Sequence, residues 1–155
     1  MLQTLAQITA SPDAVPPRTA GDALLDAAGC VAGAHVVVLG PDALPVLCGL
    51  IRRGAAAATE SQLGDRVAEP AEIVIVPGVA SPADAARAVD SARRALLPCG
   101  VVVIHGADRG LAPEIMSLLQ ASGFSTIRAR PDGDGTVVTA ERPMFGPLTR
   151  SAGRA

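Results

Sequence analysis

Two stretches of the chain carry residues whose types and spacing could do chemistry. In His105-Gly106-Ala107-Asp108-Arg109-Gly110, an imidazole ends an apolar run and a carboxylate follows three positions later. An imidazole can take a proton near neutral pH and a carboxylate can hold its ring, so His105 is a candidate general base with Asp108 to orient it. A lone histidine at a strand end is more often a structural hydrogen-bonder, and His35, at the start of its own apolar run, reads only that way. The second stretch, VVVLGPDALPVLCGLIRRG from Val36 to Gly54, sets a glycine between an apolar run and a helical pattern. Glycine at such a corner lets backbone come close to a ligand. Loops of that kind use two or three glycines, whereas Gly40 stands alone here, followed by Pro41, Asp42, Ala43, Leu44 and Pro45.

Composition removes several other chemistries. All thirteen basic residues are arginines, and the chain has no Lys, Asn, Trp or Tyr. Together with abundant Ala and Gly this reads as the bias of a GC-rich bacterial genome, not as arginine-specific chemistry. The net charge is −2, the arginines are scattered and only two Phe are present, so the cationic, aromatic footprint of a nucleic-acid binder is missing. Cys30, Cys48 and Cys99 are far apart, with no CxxC and no paired His. They read as free, buried thiols of a reducing compartment, and no metal site is expected. The start MLQTLAQITA lacks the basic residues and long apolar core of a secretion signal, and no apolar run has the length of a membrane span. A cytoplasmic location, with no membrane partner, is the expectation.

The elements that must position these residues follow from periodicity and punctuation. Residues 1–18 hold one short helical pattern (Leu2, Leu5, Ile8) and then a proline-rich stretch, and read as an N-terminal arm. A domain is expected over 19–143, and 144–155 reads as a loose tail. Thr19 and Asp22 form a capping box for a short helix that Gly29 ends. His35 to Leu39 is a strand. Asp42 is the expected N-cap of the next helix, its carboxylate accepting first-turn amides, with Leu44, Leu47 and Ile51 along one face and Gly54 as the stop. AAAAT is a weak strand, and Glu72 to Val76 a buried one. Ser81 caps a long helix with Pro82 in its first position and a stripe of Ala85, Val89, Ala92 and Leu96. Val101 to His105 is another buried strand, and Ile115, Leu118 and Leu119 mark a last helix. Two strands around Pro131-Asp132-Gly133-Asp134-Gly135 ask for a hairpin. Apolar strands alternating with helices imply a parallel sheet covered on both faces, with the hairpin adding an antiparallel member.

This order of elements resembles that of the class I S-adenosylmethionine-dependent methyltransferases. The resemblance runs from about Thr19 to Pro143 and rests on the LLDAAG helix, the strand ending in Gly40, the strand ending near Glu60, EIVIVPG, the helix closing in ARRALLPCG, VVVIH and the hairpin after GFS. It implies a three-layer Rossmann-like fold with a closing antiparallel hairpin. It also implies an S-adenosylmethionine site at the carboxyl ends of the strands, and no metal. The residues it assigns to the cofactor are Gly40, Pro41 and Asp42 in the first loop, Glu60 for the ribose hydroxyls, Asp65 for the adenine amino group, and Pro77 and Gly78 after EIVIV. Each of the three acids has a plainer reading, Glu60 and Asp65 as solvated surface charges and Asp42 as the helix cap.

The chain departs from the family's pattern in three places. VVVLGPDALP replaces the acidic, glycine-rich D-x-G-x-G-x-G loop, and Pro41 removes an amide donor. Between Thr59 and Ile73 lie thirteen residues, too few for the helix, strand and loop the family fits there, so one edge of the sheet is expected to be shortened. The end of EIVIV offers no acid, Asn or aromatic. These departures point to a degenerate, truncated, non-catalytic member that works by self-association, as a homodimer, or by binding a protein partner through the shortened edge and the N-terminal arm. Two alternatives stay open: an active small-molecule methyltransferase with a divergent loop, and a binding module for another nucleotide or metabolite.

Overall fold

The computed structural model describes residues 19–144. The arm at 1–18, and the tail apart from Met144, lie outside the described residues. In chain order the elements are α1 (Ala20–Ala28), β1 (His35–Leu39), α2 (Ala43–Arg52), β2 (Ala57–Ser61), β3 (Ala71–Val79), α3 (Pro82–Ala95), β4 (Leu96–Gly106), a 3-10 turn (Arg109–Leu111), α4 (Ala112–Ala121), β5 (Ser125–Asp132) and β6 (Gly135–Glu141). They form one six-stranded sheet in the order β2-β1-β3-β4-β6-β5. β2, β1, β3 and β4 are parallel, while β6 runs antiparallel to both β4 and β5.

Strand alternation divides the core in two. Val36 and Val38 of β1 face α1 and α2 and pack with Leu24, Leu25, Val46 and Leu50. Val37 and Leu39 face the other way, toward Ala85, Val89, Ile115 and Leu119 of α3 and α4. Because both faces are covered, the central strands need no polar residue at every second position, and this produces the continuous apolar runs. Burial of each such Val, Leu or Ile stabilises the fold by about 1.5–3 kcal/mol.

Local signals set the helix starts. The Thr19 side chain accepts from the Asp22 amide while the Asp22 carboxylate accepts from the Thr19 amide at 3.0 Å, a complete capping box. The Ser81 hydroxyl accepts from the Asp84 amide at 3.2 Å ahead of Pro82. Alanines at positions 85, 88, 92 and 95 let α3 lie close on the sheet. At the hairpin, Gly133 takes φ +58°, the left-handed turn that glycine adopts without strain.

Two expectations are corrected. α2 buries Ala43, Val46 and Leu50, whereas Leu44 and Ile51 are exposed at 69% and 70% and Leu47 is half-buried. Both faces of this helix are apolar enough to be chosen. Gly49 decides between them, because a Cβ there would lie 2.4 Å from Leu25 Cδ1, so the face that carries it must meet α1. The three cysteines are free, as expected, but exposed, not buried. Cys48 points away from the Val46–Leu50 face, Cys30 follows the end of α1, and Cys99 lies within β4 with φ 64°, where the register with β3 shifts.

The short connection between β2 and β3 contains neither helix nor strand, so β2 is an edge of the sheet. No helix among the described residues is long and apolar enough to cross a membrane.

Candidate functional site

The carboxyl ends of β2, β1 and β3 lie side by side, which brings Glu60, Gly40 and the Pro77-Gly78 pair onto one edge of the sheet. Gly40 follows Leu39 with φ +100°, and its amide donates to the Ser61 carbonyl at 2.9 Å. A Cβ added there would meet only the Leu63 side chain, at 3.6 Å from Cγ. The backbone conformation therefore requires the glycine, and Leu63 lies over it.

Pro41 is exposed and brings no amide. Asp42 stands at the N-cap of α2, as expected, but its carboxylate makes no capping bond. This is a correction with two causes. Asp42 is in the left-handed region, φ 61° and ψ 29°, where a cap side chain is not aimed along the helix axis. Its usual target, the third helical residue, is Pro45, which has no N–H.

Glu60 is exposed and pairs in register with Val38, one residue before the end of β2. Asp65 is also exposed. It closes a turn in which its amide donates to the Gln62 carbonyl at 3.2 Å, and the neighbouring Gly64 amide donates to Ser91 Oγ of α3 at 2.9 Å. That bond straps the connection to α3 and places Leu63 against Gly40. Pro77 and Gly78 belong to β3 itself, at a shift in its register with β4, and a Cβ on Gly78 would meet nothing within 4 Å.

Further along the same edge, His105 Nε2 lies 3.4 Å from Asp132 Oδ2, with the two side chains 15% and 33% exposed. The carboxylate beside the imidazole is thus Asp132. Asp108 instead accepts from the Gly110 amide at 2.8 Å and caps the 3-10 turn. Asp132 was hidden from local spacing because β6 lies between β4 and β5. Register would have found it, since His105 faces Val137 and Asp132 closes the hairpin opposite Gly135. Arg109 fixes the hairpin tip, its Nε and Nη2 donating to the Gly133 carbonyl at 3.1 and 2.7 Å. His35 sits at the amino end of β1, where its amide donates to Glu72.

Of the cofactor candidates, Glu60 lines a groove of about 450 Å³ between β2 and the chain from Arg66 to Ala71. Also among the described residues, no three His, Cys, Asp or Glu side chains are grouped to hold a metal ion.

No family model and no curated protein matches the sequence. Solved structures do match the fold. One is the ribosomal protein L11 methylase of Lactobacillus delbrueckii subsp. bulgaricus, at 12% identity and TM-score 0.68 over 80% of this chain and 77% of that one. Another is the precorrin-6y C5,15-methyltransferase of Geobacter metallireducens, at 11% identity and TM-score 0.59 over 79% and 88%. A third is the 16S rRNA N2 G1207 methyltransferase of T. thermophilus in complex with AdoMet and guanosine, at 18% identity and TM-score 0.59 over 84% of this chain and 44% of that one. The chain has the class I methyltransferase-like fold.

Proposed function

We propose that this methyltransferase-like domain no longer uses S-adenosylmethionine and acts by self-association through its shortened sheet edge. The observation that carries this reading is the packing of Leu63 on Gly40. In the fold, the methionine part of the cofactor would rest on bare backbone after the first strand. Here the Gly40 amide is already bonded to Ser61, Leu63 covers the glycine, Pro41 offers no donor and Asp42 adds a carboxylate. A ligand at that loop would first have to displace a core-packed side chain. These residues do not fit the group, and no methyl-transfer step is derived through it.

Titration calorimetry with S-adenosylmethionine and S-adenosylhomocysteine tests the loss of the cofactor. The expected result is no saturable heat up to millimolar ligand from folded protein. Micromolar binding that Glu60→Ala weakens would overturn it.

A second reading, an active small-molecule methyltransferase, draws on the His105–Asp132 pair at the same edge, an imidazole held as a general base would be. Its mark would be S-adenosylhomocysteine production in a cell extract, lost in His105→Gln.

A further inference from the structure

The residues of α2 that the core leaves out form a stripe of their own. Leu44 and Ile51 are exposed at 69% and 70%, Leu47 between them is half-buried, and the three follow one another at spacings of three and four. No other helix among the described residues exposes a large apolar side chain. At about 100° per residue the stripe lies about 140–160° round the helix from Gly49, whose face meets Leu25 of α1. It therefore looks away from α1, out over the edge of the sheet at β2.

That edge is free. The Ala57 amide donates to the Ala34 carbonyl and the Ser61 carbonyl accepts from the Gly40 amide, both on the β1 side. Alternation along the ladder turns the amides and carbonyls of Ala58 and Glu60 outward, where no further strand of the described sheet meets them. Two copies related by a two-fold axis would meet there with their β2 strands antiparallel. Ala58 then exchanges both backbone bonds with the other copy's Glu60, and Thr59 stands on the axis opposite itself.

The same pairing places the helices. α2 packs on both β1 and β2, so the two copies of α2 come to lie two strand spacings apart, about 10 Å. Packed helices touch at about 8–10 Å. Their levels agree as well. α2 leaves the carboxyl end of β1 and returns to the amino end of β2, its ten residues spanning about 15 Å and the five of β2 about 16 Å. Leu47 and Cys48, mid-helix, are thus level with Thr59, mid-strand, and Leu44 meets the other copy's Ile51. Charge follows the same symmetry. Asp42, exposed and making no capping bond, stands at one end of α2, and exposed Arg52 at the other. Antiparallel helices set each arginine beside the other copy's aspartate, twice in the pair.

From this juxtaposition we infer that the chain forms a two-fold dimer in which β2 pairs with β2 about Thr59 and the Leu44, Leu47 and Ile51 stripe of α2 packs on its symmetry mate. The inference rests on the self-association reading and names its contact. The second copy's β2 continues the sheet past its shortened edge, and its α2 covers the apolar stripe. The face is small, so the dimer is a reversible one.

Light scattering of the full chain should show the mass rise from 15.5 kDa toward twice that value as concentration goes from about 1 to about 300 μM. Ile51→Glu should keep the urea midpoint and weaken the dimer at least about tenfold. At low salt, Asp42→Arg and Arg52→Asp should each weaken it about tenfold, and the two together should restore it. The contact is read separately in chains carrying Cys30→Ser, Cys48→Ser and Cys99→Ser, oxidised in air with copper phenanthroline. Thr59→Cys should join to itself, since residues opposite one another at such a site have Cα atoms about 4.5 Å apart. Ser61→Cys should join not to itself but to Ala57→Cys. A dimer undiminished by Ile51→Glu, a charge exchange that fails to restore it, or a Thr59→Cys chain that stays single would overturn this face while leaving self-association standing. A full chain monomeric throughout would overturn both.

Discussion

Replacing Gly40 by alanine separates two reasons for a glycine at the end of β1. If the residue serves close approach to a ligand, a methyl group harms binding and leaves the fold intact. If it serves the backbone, the harm falls on stability. At φ +100° an L-residue is strained, and the cost of such a conformation is about 1–3 kcal/mol. The added methyl would touch Leu63 Cγ at 3.6 Å and Cδ1 at 3.9 Å, ordinary contacts that add no clash. Urea unfolding is the assay. With a denaturant slope of about 1–2 kcal/mol per molar for a domain of this size, the midpoint should fall by about 1 M. Gly78→Ala is the internal control, because Gly78 has no positive φ and open space around a Cβ; it should leave stability unchanged or raise it by up to about 1 kcal/mol. An unchanged midpoint for Gly40→Ala would refute the conformational account of this glycine.

Two further substitutions test the parts that hold the edge together. Gly135→Ala places a Cβ 2.5 Å from the Gly106 carbonyl and 3.0 Å from His105 Nε2; a loss of about 1–3 kcal/mol in urea unfolding is expected, with altered histidine NMR signals, and an unchanged spectrum would count against the close approach. Ser91→Ala removes the acceptor of the Gly64 amide; it should cost about 1 kcal/mol and speed hydrogen exchange in residues 62–67, and unaltered exchange there would mean that the connection is not strapped to α3.

Much of the fold was legible because its signals are local. The runs HVVVL, EIVIV and VVVIH announce strands buried on both faces, and the Thr19 and Ser81 caps announce helix starts. The thirteen residues between Thr59 and Ile73 were too few for a crossover, and the sheet ends at β2 accordingly. What escaped was whatever depends on contacts between elements. The two apolar faces of α2 could be told apart only once Gly49 met Leu25. Asp42 has the right type and position for a cap, yet Pro45 leaves it without an amide at the third helical position. Asp132 reaches His105 through the register of β4, β6 and β5. Leu63 over Gly40 had a partial signal, because a bulky apolar residue in a connection that short must settle near the end of β1.

The central claim is that the carboxyl edge around Gly40 has lost its cofactor, and amide NMR reads that edge residue by residue. Labelled protein titrated with S-adenosylhomocysteine to millimolar concentration should show no saturable shift at Gly40, Asp42, Glu60, Leu63 or Gly78. Saturable shifts concentrated at those amides, with Leu63 among the largest, would mean that the leucine moves aside for the ligand and would contradict the account.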